Sequence, residues 1–188
     1  DGSTSGGDMA GLEVLVTAGG TREPICPVRY VGNRSSGKQG HALARAAAAR
    51  GAKVRCVTTQ PETAPDIIGV QVLAVETAAE MATAVLSNSA TADIVLMAAA
   101  VADFRPVEVA GSKLKKADGT PEIMLEPTTD ILAELGRNRS PGQVLVGFAA
   151  ETDDLRQNAT SKLESKGIDM IVANDVSASG VGFGHDTN

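Results

Sequence analysis

Residues 12–18 read LEVLVTA and run directly into Gly19-Gly20, and this short apolar stretch decides the fold. An apolar run of about four to eight residues that ends at glycine is typical of a central strand in a parallel sheet. Residues 36–50 follow with six alanines and reach Gly51, which predicts a helix that ends at a glycine. A strand followed by a helix is the first half of a βαβ unit, so the chain starts as an α/β protein.

The same alternation continues to the end of the chain. We predict further strands at 53–58, 70–75, 93–98, 144–148 and 168–173, and further helices at 77–86, 129–135 and 152–166, the last capped by Thr152. Parallel strands joined by helices need right-handed crossovers. The sequence therefore predicts a doubly wound, mostly parallel, Rossmann-like α/β sheet with helices on both faces. Residues 1–11 begin as a polar, glycine-rich stretch and are expected to be a disordered linker, and residues 12–188 a single domain.

Composition excludes several function classes. The 188 residues carry a net charge of −6, which argues against a nucleic-acid partner, and the 2% aromatic content offers no stacking platform for bases. Two cysteines and two histidines make neither a disulfide framework nor a four-ligand zinc site. No apolar run approaches the roughly 18 residues of a membrane span and no signal peptide opens the chain, so we expect a cytoplasmic protein without membrane contact.

Residues 32–38 read GNRSSGK and match the first seven positions of a P-loop. Gln39 follows where a P-loop needs serine or threonine for magnesium, and the segment begins about 14 residues after the first strand instead of directly behind it. The chain also lacks the G-x-G-x-x-G of dinucleotide-binding domains at this place. P-loop chemistry and an ordinary Rossmann oxidoreductase are therefore disfavoured.

The start of the predicted helix at 36–50 still resembles an anion site. Ser36 is expected to cap the helix, with the free amides of Gly37, Lys38 and Gln39 at its N-terminus. A lysine in the first turn opposes the helix dipole, which suggests a bound anion, although Lys38 could also simply point to water. The sequence leaves both readings open.

Two more basic clusters could each bind phosphate or could simply be solvated surface. Lys113-Leu114-Lys115-Lys116 is either a phosphate clamp or a solvated edge segment, and Lys162 and Lys166 share one helix face that is solvated by default. Asp103 follows a predicted strand and could bind a ribose or a metal, or cap a turn. His41 in its alanine-rich helix is expected to pack, and Cys26 has little support as a nucleophile. These residues predict a nucleotide- or phosphate-using protein and nothing sharper.

Six motifs in a fixed order sharpen this interpretation. They are VTAGGTREP (16–24), PVRYVGNRSSGKQG (27–40), AAVADFRP (99–106), KLKK (113–116), VGFAAET (146–152) and ANDV (173–176). Together they resemble phosphopantothenoylcysteine synthetase, the phosphopantothenate–cysteine ligase of coenzyme A biosynthesis, over about residues 12–184. Cys26 stands where that family usually has aspartate, and the chain stops at Asn188, short of the family's usual C-terminal strands and helix.

The resemblance implies a nucleotide-binding ligase domain at 12–188 that joins 4′-phosphopantothenate to L-cysteine. CTP would be the co-substrate with Mg²⁺ (or Mn²⁺), an acyl-cytidylate the intermediate, and CMP and pyrophosphate the products. The family forms homodimers and often follows a flavin-dependent decarboxylase domain in one longer chain. Two other interpretations stay open: a non-catalytic nucleotide-binding fragment, and an NAD(P)-binding reductase domain.

The same resemblance implies roles for individual residues. Asn33 would hold the acyl group, and Lys113 would clamp the phosphates. The nucleotide would be bound by Gly19, Ser35, Ser36, Gly37, Met97, Ala98, Ala99, Ala102, Asp103, Phe104, Lys113, Thr129, Asp130, Ile131, Leu132, Phe148, Lys162 and Lys166. The backbone of 102–104 would read the cytosine edge. The family motifs give no metal ligands.

Overall fold

The computed structural model describes residues 7–151 and 155–175. Within these residues, the ten strands in chain order are β1 (Glu13–Ala18), β2 (Arg22–Cys26), β3 (Arg29–Gly32), β4 (Lys53–Thr58), β5 (Val70–Ala74), β6 (Ile94–Met97), β7 (Phe104–Pro106), β8 (Leu125–Pro127), β9 (Val144–Glu151) and β10 (Met170–Asp175). The four α-helices of the same residues are α1 (Lys38–Ala49), α2 (Ala78–Ser89), α3 (Ile131–Arg137) and α4 (Leu155–Lys166). All six predicted strands and all four predicted helices are present, with small shifts at their ends.

Six strands form one sheet in the order β10-β9-β6-β1-β4-β5. Every neighbouring pair in this sheet is parallel. Counted along the chain, these six strands have the spatial order 6-5-4-1-2-3, which is the doubly wound order of dinucleotide-binding sheets. The predicted fold class is confirmed, and the order places β1 at the centre of the sheet.

Helices cover both faces of the sheet, as predicted. On one face α1 packs on β1 and β4, and Ala44 and Ala47 of the helix join Val14 and Val16 of β1 in one core cluster. A Cβ atom on Gly40 would lie 2.5 Å from the carbonyl oxygen of Thr17, so only glycine lets α1 lie this close to β1. The other face holds the second cluster, which α2 and α3 cover.

Two antiparallel hairpins, β2–β3 and β7–β8, were not predicted. The first occupies the connection between β1 and α1, for which the sequence analysis predicts no strand. Glu23 on β2 is buried, and its Oε1 accepts a hydrogen bond from the N–H of Ala78 at 2.8 Å. The hairpin is thereby anchored to the first turn of α2, where open backbone N–H groups favour a carboxylate.

Some boundaries differ from the predictions. Gly37, and not Ser36, is the N-cap residue of α1, with a left-handed φ of 79°. Within the expected linker, residues 7–11 form a turn that packs on the end of α1, where the Met9 N–H donates to the Arg50 carbonyl at 3.0 Å and Arg50 pairs with Asp8. The described part of that stretch therefore belongs to the folded domain. Thr152, the predicted cap of the helix at 152–166, lies outside the described residues.

Candidate functional site

The order of the sheet reverses at β1, which has β4 on one side and β6 on the other. Ligands of doubly wound sheets bind beyond the carboxyl ends of the strands at this point. Residues 19–21 after β1 meet residues 99–102 after β6 there, and we call this place the loop crossing. The Ala100 N–H donates to the Gly19 carbonyl at 2.8 Å, and the Thr21 N–H donates to the Ala100 carbonyl at 3.2 Å.

Two buried threonines, Thr17 and Thr21, hold the loop crossing in place through hydrogen bonds. The N–H of Ala99 donates to Thr17 Oγ1 at 3.0 Å, and the N–H of Ala102 donates to Thr21 Oγ1 at 2.9 Å. Both threonines are fully buried. The amides of Ala99 and Ala102 are thus already used within the protein, and the carbonyl oxygens of Ala102 and Asp103 each accept a hydrogen bond from Thr128, at 2.6 and 2.9 Å. The second lone pair of each carbonyl and the remaining groups of 103–104 are the part of 102–104 left for a base. The sequence analysis did not single out either threonine.

Asn33 lies at the same crossing. Its side chain is exposed, and Nδ2 donates to the carbonyl oxygen of Ala100 at 3.2 Å. A Cβ atom on Gly20 would lie 2.9 Å from the carbonyl oxygen of Asn33, so glycine at this position allows the two backbones to approach. Nδ2 carries a second N–H group beside the one given to Ala100, which makes it a donor for a ligand oxygen. The structure therefore places the predicted residue Asn33 against Ala100, the chain neighbour of the predicted residue Ala99.

The N-terminus of α1 opens next to the loop crossing. A Cβ atom on Gly37 would stand 3.3 Å from the backbone nitrogen of Gly19. Gly19 and Gly37 both have a left-handed backbone, with φ values of 87° and 79°, which glycine adopts without strain. Glycine offers no side-chain cap, and within the described chain the first-turn amides of Gln39 and Gly40 have no hydrogen-bond partner. Such amides are a binding place for an anion.

The turn after β4 lies on the other side of Gly19. His41 is buried at 3% exposure, its Nε2 is 3.0 Å from Thr58 Oγ1, and its Nδ1 is 3.5 Å from Thr63 Oγ1. Burial lowers the pKa of His41, and the nearby charge of Arg45 lowers that pKa further. The imidazole is therefore neutral and ties the turn to α1, which agrees with the packing role expected for it. A Cβ atom on Gly19 would be 2.2 Å from Thr59 Oγ1, and the sequence analysis missed this threonine.

Lys113 lies on a loop that is attached to the β2–β3 hairpin. The N–H of Ala110 donates to the Ile25 carbonyl at 2.9 Å, and Arg29 Nη1 donates to the Leu114 carbonyl at 3.0 Å. Lys113 is exposed, and it makes no hydrogen bond or ion pair with any residue that the structure describes. Its position is compatible with a phosphate clamp and equally with a solvated edge. Buried Cys26 lies at the same hairpin.

The remaining predicted residues differ in their burial and in their partners. Lys166 Nζ lies 3.3 Å from Oδ2 of Asp130, whose side chain caps α3 by accepting the Ala133 N–H at 3.0 Å. Met97 and Ile131 are buried core residues, so their side chains are closed to a ligand. Asp103 and Phe104 are exposed where β7 begins. The residues left partly buried are Ser35, Ser36, Ala98, Leu132, Phe148 and Lys162, whereas Thr129 is exposed.

Across 7–151 and 155–175, no group of three or more histidine, cysteine, aspartate or glutamate side chains is placed to hold a metal ion. None of the helices in the described ranges has the length and apolar character that crossing a membrane requires.

Comparison with known proteins finds one matching family. Residues 9–188 match the family model described as DNA/pantothenate metabolism flavoprotein C-terminal domain. A relative from Mycobacterium tuberculosis (strain ATCC 25618 / H37Rv), the coenzyme A biosynthesis bifunctional protein CoaBC, is 49% identical over 96% of this chain and 46% of its own length. The chain thus spans less than half of that relative.

Solved structures share the fold. The crystal structure of the C-terminal domain of a CoaBC protein has a TM-score of 0.75 and 42% identity, over 88% of this chain and 78% of that one. A Cab2 variant, solved as a complex with phosphopantothenate-cysteine, has a TM-score of 0.74 at 19% identity, over 88% and 73% of the two chains. At that low identity, the likeness to Cab2 shows the fold alone.

Proposed function

The chain belongs to the family of DNA/pantothenate metabolism flavoprotein C-terminal domains, and on that premise we propose that residues 12–188 are a phosphopantothenate–cysteine ligase domain. The observation that carries the proposal is the position of Asn33, whose carboxamide is held by the Ala100 carbonyl at the loop crossing, beside the open N-terminus of α1. An acyl-group donor and a phosphate site then lie next to one another. A carboxylate that is activated by a nucleotide needs both.

The first step activates the carboxylate of 4′-phosphopantothenate. One of its oxygens attacks the α-phosphorus of CTP, a new P–O bond forms, and the bond from that phosphorus to the β-phosphate oxygen breaks. Pyrophosphate leaves with the bonding electron pair, and an acyl-cytidylate remains. The second N–H of Asn33 Nδ2 donates to the acyl oxygen, because the first N–H is engaged with Ala100.

The second step forms the amide. The neutral amine of cysteine attacks the acyl carbon, and the C–O bond to the cytidylate phosphate breaks. CMP leaves with the electron pair, and the amine nitrogen loses a proton to solvent water. In the tetrahedral transition state the former acyl oxygen gains negative charge, and the Asn33 donor then binds it more strongly than in the ground state.

Several cations offset the charge of two phosphorylated substrates. Lys113 on the exposed loop and Lys166 beside Asp130 are the side chains that we assign to the nucleotide phosphates, together with Lys162. The first-turn amides of α1 add neutral donors next to Gly19. The protein is acidic overall, with a net charge of −6, so these local donors and not the global field attract the nucleotide.

Magnesium fits this arrangement as a partner of the triphosphate. A protein-only cage would need a cluster of ligands that the described residues do not provide. Mg²⁺ is commonly held by one or two carboxylates and by substrate phosphates, and exposed Asp103 is the carboxylate that we assign to it. When bound, the ion neutralises charge on the phosphates.

We include a homodimer in the proposal. The two hairpins are in contact through β2 and β7 and expose large apolar side chains, which are Val28, Tyr30, Phe104, Val107, Met124 and Leu125. Exposed apolar groups concentrated in one region mark interaction surfaces.

Because the bifunctional relatives are about twice as long as this chain, we further propose that it functions beside a flavin-dependent decarboxylase domain, in the cytoplasm.

The test is the release of pyrophosphate from CTP and 4′-phosphopantothenate, with and without cysteine. A ligase releases about one equivalent of pyrophosphate per site without cysteine and turns over continuously when cysteine is added. Calorimetric titrations with CTP, ATP and NADPH accompany the assay. Binding of CTP without pyrophosphate release would indicate a nucleotide-binding fragment, and binding of NADPH alone would indicate a reductase domain.

A further inference from the structure

The hydroxyl of Thr59 is a buried polar group beside the start of α1. Thr59 comes directly after β4 and is 6% exposed, and its Oγ1 has no hydrogen-bond partner in the portion of the chain that the structure describes. Buried hydroxyl groups are nearly always hydrogen-bonded, so each exception calls for an explanation. An unpaired hydroxyl next to an open helix N-terminus points to an oxygen of a ligand.

The other threonine hydroxyls of this turn, and the backbone N–H of Thr59, have hydrogen-bond partners. Thr58 Oγ1 contacts His41 Nε2 at 3.0 Å and accepts the N–H of Gln60 at 3.0 Å. Thr63 Oγ1 contacts His41 Nδ1 and donates to the carbonyl of Gln60 at 3.3 Å. The backbone N–H of Thr59 itself donates to the Ala18 carbonyl at 3.2 Å. The turn is therefore held firmly, and the Thr59 hydroxyl stands out as its unused group.

The position of the hydroxyl connects it to the anion site. Thr59 Oγ1 lies 2.2 Å from the place where a Cβ atom on Gly19 would stand, so it lies against the α-carbon of Gly19. Gly37, at the N-terminus of α1, approaches the backbone nitrogen of the same Gly19. Thr59 and the first turn of α1 thus border Gly19 from two sides. A phosphoryl group above Gly19 would be within reach of both.

We propose that Thr59 is a phosphate-binding residue whose hydroxyl donates a hydrogen bond to a polyphosphate seated at the N-terminus of α1. Rotation about the Cα–Cβ bond between staggered positions brings the hydroxyl toward the ligand, with no movement of the anchored turn. The donor is neutral, so it adds a directed bond without adding charge. The inference rests on the proposed function, because CTP and the pyrophosphate product are the polyphosphates of that reaction.

The test compares Thr59→Val, which removes the hydroxyl at nearly constant shape, with Thr59→Ser, which keeps it. Binding of CTP and of inorganic pyrophosphate is measured by calorimetry on the full chain. We expect Thr59→Val to weaken both ligands by about tenfold or more, the scale of a hydrogen bond to a charged group. Thr59→Ser stays within about twofold of the wild type, as does the matched control Thr83→Val on the exposed side of α2.

Unfolding in urea without ligand distinguishes binding from folding. Thr59→Val should be at least as stable as the wild type, because it removes an unpaired buried hydroxyl. Wild-type affinities in Thr59→Val would overturn the inference, and so would a destabilised Thr59→Val whose lost affinity Thr59→Ser does not restore. A wild-type chain that binds pyrophosphate but forms no ligation product overturns the ligase proposal while the Thr59 comparison stands. A wild-type chain that binds neither ligand overturns both.

Discussion

The carboxamide of Asn33 donates from Nδ2 to the carbonyl oxygen of Ala100 at 3.2 Å, although 67 residues separate the two in sequence. This bond orients the amide plane of Asn33 relative to the strand connection after β6. An aspartate at position 33 would have no donor for Ala100 and would add negative charge next to a phosphate-rich intermediate.

We therefore expect Asn33→Asp to lose ligation and to keep its fold. Product formation should fall by about 100-fold or more, the usual effect of removing one transition-state donor. The midpoint of thermal unfolding should shift by only a few degrees, because Asn33 is exposed and surface changes usually cost under about 0.5 kcal/mol. Rates of phosphopantothenoylcysteine formation and a melting curve check this, and a variant that fails to fold would make Asn33 structural.

Lys113→Ala is expected to weaken CTP binding by about 1.5–3 kcal/mol, the range for a hydrogen bond to a charged group. The matched control is Lys53→Ala, since Lys53 is also exposed but lies at the amino end of β4, away from the loop crossing. Calorimetry with CTP measures both variants. Equal affinities in Lys113→Ala and wild type would return Lys113 to the solvated-edge interpretation.

Thr21→Val is expected to destabilise the protein. Thr21 is fully buried, and its Oγ1 accepts the N–H of Ala102 at 2.9 Å. Valine fills the same volume but leaves that buried N–H without an acceptor, at a cost of about 1–3 kcal/mol in the free energy of unfolding. Urea denaturation measures the change, and Thr21→Ser serves as the control that retains the acceptor. If both variants lose the same stability, packing and not the hydrogen bond explains it.

The free energy of unfolding should decrease as the pH is lowered, and protonation of His41 should account for part of that decrease. Burial lowers the pKa of His41 in the folded state, whereas the unfolded chain has the ordinary value of about 6.5. Below that value the unfolded state binds more protons than the folded state, so the free energy of unfolding decreases as the pH falls toward the folded pKa. Glutamine does not titrate, so in His41→Gln the free energy of unfolding, measured with urea between about pH 7.5 and 5, should depend less on pH. An unchanged slope would contradict the assignment of a neutral buried imidazole.

Met124→Asp should shift the protein toward monomers. Met124 is 76% exposed on the segment that leads into β8, within the apolar surface of the two hairpins. A carboxylate there must be desolvated on association, which disfavours a contact between two copies. Light scattering across a dilution series measures the mass. An aspartate at exposed Ile68, beyond that surface, is the control and should leave the mass of the wild type unchanged.

Sequence reasoning predicted the central sheet because its strands are apolar runs that end at small residues, as in LEVLVTA before Gly19. The hairpins escaped prediction because strands such as β3 and β8 are short and mostly exposed, so they lack a buried, alternating face. Ser36 was predicted as the N-cap residue of α1 because serine is favoured at that position, but the N-cap residue is Gly37. Gly37 has a left-handed backbone and lies close to Gly19, 18 residues earlier, which local sequence does not reveal.

Within the candidate site, motif resemblance placed Asn33, Gly19 and Gly37, and the structure brings these three together. Thr17, Thr21 and Thr59 were missed for one physical reason. Each looks like an ordinary strand or loop threonine, and its importance comes from neighbours far along the chain, such as Ala102 for Thr21 and Gly19 for Thr59. Spacing within a motif cannot reveal contacts of that kind.

The loop crossing has a consequence for synthesis on the ribosome. A nascent chain that has emerged only as far as α2 can form β1, α1 and β4, but it lacks the Ala100 carbonyl that orients Asn33. Closing contacts over such long sequence separations carries an entropy cost that local helices do not have. On the proposed function, binding of a phosphate group at the start of α1 would therefore precede the orientation of Asn33, and the base- and lysine-bearing parts of the nucleotide site would be added later still.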